Sequence, residues 1–138
     1  METANHECYV SVEVAKLLKK AGFDWEVNHS YPNCESLDNS CSGYMEDLSF
    51  YHNLNDGKYG GMSAPTLDVA QRWLRKIKNV VLLVDFNNDE DCEENERYGV
   101  TIYTGKERII ELATYPTYEE AQEAGINKAL EIILEKGE

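Results

Sequence analysis

Between Asn87 and Glu96 the chain reads NNDEDCEENE, which places six carboxylates, Asp89, Glu90, Asp91, Glu93, Glu94 and Glu96, within ten residues. Oxygen donors at that density could hold a hard cation, because calcium takes about six to eight oxygen ligands. The spacing argues otherwise. A helix-loop-helix calcium loop alternates its acids, carries Gly at its sixth position and closes on a Glu between two helices, whereas this run has no Gly and joins two strand-like segments. Two readings remain: a solvated hairpin loop whose charges repel one another, or an acidic surface that docks on a basic partner, in the limit by mimicking nucleic-acid phosphate. The six acids are the first candidates for partner binding.

The soft and imidazole ligands lie mostly in the first half, as His6, Cys8, His29, Cys34, Cys41 and His52. Four of them could close a tetrahedral zinc site, but there is no Cys-x-x-Cys pair and Cys34 to Cys41 is wide for a zinc knuckle. No metal or cofactor is assigned. A Cys–His nucleophilic centre needs a base or a cationic setting around the thiol, and spacing alone does not supply one. The chain has no Gly-rich phosphate loop, no Gly-x-Ser-x-Gly and no His-Glu-x-x-His, so no catalytic residue is named. An enzyme or ligand-binding protein working through the Cys-, His- and Tyr-containing segment 24–65 is the alternative class.

That segment also holds Trp25, Tyr31, Tyr44, Phe50, Tyr51 and Tyr59 among Pro, Asn, Ser and Gly, with no sustained period. It reads as a long irregular stretch, with a strand or hairpin within 44–52, and ordered loops of such length are often functional. Its aromatics could fold back over one end of the core. Alternatively, Tyr44, Tyr51 and Tyr59 could face a partner, since Tyr brings contact area and a polar tip at low entropic cost.

The elements that must position these groups follow from period and caps. At 138 residues the chain suits one domain, 1–138, and its 42% hydrophobic content is that of a folded protein. A formal net charge of −13 points away from nucleic acid and anionic membrane as primary partners and toward a protein with a basic surface. The start of the chain is polar and acidic, without the pattern of a signal peptide, so a cytoplasmic location with free thiols is expected.

A first helix is predicted over Ser11 to Ala21, capped by Ser11 and stopped by Gly22-Phe23. A second begins after Pro65 with Thr66 as cap and an apolar stripe of Leu67, Ala70, Trp73, Leu74 and Ile77, its basic residues Arg72, Arg75, Lys76 and Lys78 lying on other faces. Asn79 to Phe86 is too continuously apolar to have a wet face and is expected as a buried strand. Tyr98 to Thr104 alternates, turns at Gly105-Lys106, and continues as Glu107 to Thr114. The last helix opens on a Thr117/Glu120 capping box, and Ala121, Ala124, Gly125 and Ala129 give it a narrow end that can approach a sheet closely.

Residues 66–136 therefore read helix, three strands, helix, an order similar to that of the double-stranded-RNA-binding domain. That family carries basic residues at the start of its last helix, where this chain has Glu119, Glu120 and Glu123. The likeness thus implies topology without RNA contacts. The stretch from Tyr9 to Leu18, the run Ser63 to Leu67 with Trp73-Leu74-Arg75, and Tyr118 to Ala121 resemble small proteins of gut bacteria and their prophages that have no assigned activity. This resemblance implies a mobile-element protein in a bacterial cytoplasm. The fold expected is α+β: a three-stranded antiparallel sheet with helices on one face and Val100, Ile102, Ile110 and Leu112 under them. The expected function is non-catalytic binding of a basic protein partner.

Overall fold

The computed structural model describes residues 8–32, 45–58, 61–105 and 108–135. The fold is α+β, and the chain divides into two compact units, one ending at Val69 and one beginning at Ala70.

In the first unit, helix α1 (Val12–Ala21) forms where its caps predict. The Ser11 side chain accepts from the Val14 amide, and Gly22, at φ 95°, lets the Phe23 amide reach back to the Leu18 carbonyl at 2.9 Å. Val14, Ala15, Leu18 and Ala21 make its buried stripe. The segment expected to be irregular is instead a second sheet. Strands β1 (Val27–Tyr31), β2 (Glu46–His52) and β3 (Met62–Ser63) pair antiparallel in the order β2-β1-β3. The strand anticipated within 44–52 is β2.

The reason for the missed sheet is local. β1 changes register between Val27 and His29, so its burial does not alternate, and β2 is almost wholly exposed, so neither shows the period of two that marks a half-buried strand. Asn55 ties the region together: its side-chain amide donates to Phe23 O at 3.0 Å, and its side-chain oxygen accepts from the Ser63 amide at 2.9 Å. Residues 8–10 run beside 65–67, with Val10 N donating to Pro65 O and Leu67 N to Cys8 O. The aromatics do not act as one group. Tyr31 is buried and its hydroxyl donates to Val10 O, whereas Phe50 and Tyr51 are exposed.

Helix α2 (Leu67–Ile77) starts in the first unit, with Thr66 Oγ1 accepting from the Val69 amide at 3.2 Å, and continues in the second. Its buried stripe is Leu67, Ala70, Trp73 and Leu74; Ile77, expected on the same face, is exposed.

The second unit is built on β4 (Val80–Phe86), β5 (Tyr98–Thr104) and β6 (Arg108–Tyr115), paired antiparallel in the order β4-β5-β6, and on helix α3 (Tyr118–Glu135). Cross-strand rows Leu82–Ile102–Ile110 and Val84–Val100–Leu112 share one sheet face, and α3 packs on all three strands. Val100 and Ile102 are buried there, as expected. Gly125 brings α3 so close that a Cβ would stand 2.8 Å from Val100 Cγ2. β4 is not buried on both sides. Leu83 is 50% exposed and, with Val81, Tyr103 and Ile109, lies on the opposite face, because α3 covers one side only and pleating turns alternate residues away from it. The outer edge of β4 is met at Leu82 O by the Gln71 side chain at 3.1 Å, which Gln122 holds in turn at 2.9 Å.

At the start of α3 the Glu120 amide donates to Thr117 Oγ1 at 3.1 Å. The Glu120 carboxylate accepts from the Thr117 hydroxyl at 3.2 Å, where a full capping box would have it on the Thr117 amide.

Candidate functional site

The acidic run joins β4 to β5 as a fastened loop. Asn87 N donates to Arg97 O at 2.7 Å and closes its neck. The Arg97 side chain then turns under the loop, its Nη1 donating to Asn87 O at 3.0 Å and to Asp89 O at 2.9 Å. Its Nη2 reaches Glu94 Oε1 at 3.4 Å, and the guanidinium lies 5.9 Å from the Phe86 ring centre. Asn87 and Asp89 each accept, through a side-chain oxygen, from the amide two residues on, at 3.0 Å in both cases, and a turn of 3-10 helix spans Glu94–Glu96.

The guanidinium and the two Asx turns fasten the backbone of the loop, using one side-chain oxygen each of Asn87 and Asp89, while Glu94 leans toward Arg97 and Cys92 Sγ donates to Glu96 O at 3.2 Å. Asp89, Glu90, Asp91, Glu93, Glu94 and Glu96 are all exposed. One cation opposes six anions. Each hydrogen bond from a charged donor contributes about 1.5–3 kcal/mol, and it acts against a repulsion among neighbouring carboxylates that salt weakens only beyond about 10 Å at 0.1 M. The clamp fastens the backbone that carries this dense anionic surface.

The loop rises from an aromatic floor that the sequence analysis did not single out. Phe86 and Tyr98, the last and first residues of the strands it joins, are cross-strand partners with ring centres 5.3 Å apart. Tyr118, the first residue of α3, meets Tyr98 edge-on at 6.2 Å. The ladder between β5 and β6 shifts register at Tyr98 and Gly99, which sets Tyr98 against Tyr115 at the mouth of the sheet. Phe86 is 59% and Tyr118 43% exposed. An open hollow of about 470 Å³, lined by Phe86, Asn88, Glu94, Arg97, Tyr98 and Pro116, lies between loop and floor. Two signals in the sequence pointed here: Arg97 is the cation that ends the acidic run, and Phe86 and Tyr98 bracket it.

Of the other candidates, Tyr51 stands on β2 in the first unit and is 66% exposed, while Tyr44 and Tyr59 lie outside the described residues. His6, Cys34 and Cys41 also lie outside them. Cys8 and Cys92 are in no disulfide. Among the described residues no three His, Cys, Asp or Glu side chains come together to hold a metal ion. His29 and His52 are each engaged. His29 Nδ1 lies 2.9 Å from Asn28 Oδ1, its Nε2 lies 3.6 Å from Asp47 Oδ1, and the Tyr9 ring centre is 4.3 Å away. His52 Nε2 meets Asp56 Oδ2 at 2.6 Å. The Lys58 amide, and next to it His52, hold the Asp56 carboxyl below its ordinary pKa by hydrogen bonding to the charged form.

Among the described residues no helix is long and apolar enough to cross a membrane. No protein-family model, curated protein or solved structure matches the chain.

Proposed function

We propose that the protein is a non-catalytic binding module whose second unit takes up a basic segment of a protein partner. The observation that carries this reading is the juxtaposition at one end of the β4-β5-β6 sheet. Six exposed carboxylates on a loop pinned by Arg97, two of which also bond within the loop, stand beside the exposed rings of Phe86 and Tyr118. Carboxylates steer and orient Lys and Arg side chains, and aromatic rings add contact area and cation–π attraction once those chains arrive. Nucleic acid and anionic membrane are not the proposed partners, because the same charges repel phosphate. The likeness to proteins of gut bacteria and prophages supports a setting in a bacterial cytoplasm, where such a module would regulate host or phage machinery by occupying a basic surface.

Titration of a fluorescein-labelled peptide that alternates Arg with Leu or Phe tests the aromatic half of the site. Wild type should bind saturably, and the double variant Phe86→Ala, Tyr118→Ala should bind about tenfold more weakly, since two partly exposed aromatic contacts contribute roughly 1–2 kcal/mol together. Equal affinities for the two proteins would remove the aromatic floor from the site.

A further inference from the structure

The first unit holds a small hollow of about 170 Å³ whose walls include Tyr9, Glu26, His29, Tyr51 and Thr66. We infer that it is a receptor for one organic cation, an alkylammonium or guanidinium group. Size limits the occupant first. Pockets for drug-sized ligands run from about 300 to 1,000 Å³, so this one takes a single side-chain head or a small free cation.

Chemistry then sets the sign of the charge. Three rings, Tyr9, His29 and Tyr51, contribute to the walls, and the faces of tyrosine rings attract cations. Glu26 is exposed at the rim with no ion-pair partner among the described residues, and Asp47 lies 3.6 Å from His29 Nε2. Even with a proton on both nitrogens of His29, Glu26 at the rim and the neighbouring Asp47 leave these three groups net negative. The positive end of α2 is close by at Thr66, yet two of its first amides are committed. Leu67 N donates to Cys8 O at 2.9 Å and Val69 N to Thr66 Oγ1 at 3.2 Å, so they offer little to an anion.

The hollow is also held in shape. Tyr9 and Thr66 form a backbone bridge, the Tyr9 ring lies against His29, and His29 is paired with Asp47 across the β1–β2 ladder. Tyr51 is the exposed member, 66% open, and can close over a bound head group without disturbing the core. An ammonium or guanidinium group could come from a Lys or Arg side chain of a protein or from a free metabolite, and the two sources are separated by experiment.

The full chain would be titrated with tetramethylammonium chloride, with the blocked peptide acetyl-Gly-Lys-Gly-amide and its trimethyl-lysine counterpart, and with the neutral analogue 3,3-dimethylbutan-1-ol. Aromatic proton shifts of His29, Tyr9 and Tyr51 would be followed at constant ionic strength set by sodium chloride. Saturable shifts with tetramethylammonium alone identify a free cation as ligand; saturation with a lysine peptide, with or without the free cation, identifies a side chain. In either case Glu26→Gln and Tyr51→Ala, both at exposed positions, should each weaken binding about fivefold or more. Absence of saturation by any cation up to 100 mM, roughly the weakest binding such contacts would give, overturns the inference. Equal binding of the neutral analogue, or cation binding unchanged in both variants, also overturns it. The outcome is independent of the acidic loop, whose residues take no part in this hollow.

Discussion

Arg97 turns a run of like charges into a structure. Its guanidinium spends two hydrogen bonds on the carbonyls of Asn87 and Asp89 and sits about a fifth exposed, so much of its charge acts inward on the loop rather than on solvent. Arg97→Gln should lower stability by about 1.5–3 kcal/mol, the loss of one charge-assisted hydrogen bond when the Gln amide keeps the other. It should also speed amide exchange at Asp89, Asp91 and Cys92 while leaving α3 protected. Exchange unchanged at those three amides would show that the Asx turns alone hold the loop. The six acids were legible as a surface from composition, but how the loop orients them was not. Orientation depends on which carbonyls the guanidinium reaches, and a sequence does not contain those distances.

Among the elements, the helices were the most legible, because caps act within four residues. Ser11, Gly22, Thr66 and Thr117 each form the local bonds that their types suggest. The sheet of the first unit was not legible, because what defines it is pairing between distant residues, Ser30 with Ser63 and Val27 with His52, across strands that lack alternation. β4 failed differently: Val81 and Leu83 are apolar although their face is open, and an apolar run does not reveal how many of its sides are covered. The narrow end of α3 provides a quantitative check at this scale. In an exposed helix Gly→Ala gains about 1 kcal/mol, but at Gly125 the new Cβ would meet Val100 Cγ2 at 2.8 Å, and overpacking a stiff buried side chain costs about 1–3 kcal/mol. Gly125→Ala should therefore lower the melting temperature, and Val100→Ala in the same chain should recover part of the loss. A rise in melting temperature for the single variant would mean that helix and sheet do not meet this closely.

For the whole molecule, a net charge of −13 makes a basic partner plausible before any site is known, and it also makes nonspecific attraction to any polycation the main rival explanation. The two differ in where the charge must be. Local recognition depends on the acids of the 87–97 loop, whereas a diffuse field depends only on their number. The direct measurement is the affinity of the labelled Arg-rich peptide across a series of salt concentrations for three proteins. These are wild type, a variant with Asp89, Glu90, Asp91, Glu93, Glu94 and Glu96 changed to Asn or Gln, and a control with Asp24, Asp68, Glu111, Glu123, Glu131 and Glu135 changed in the same way. Local recognition by the loop requires that the loop variant lose most of the affinity and most of the salt dependence while the control, with the same change in net charge, stays close to wild type. Equal losses in the two variants, or undiminished binding by the loop variant, would contradict it.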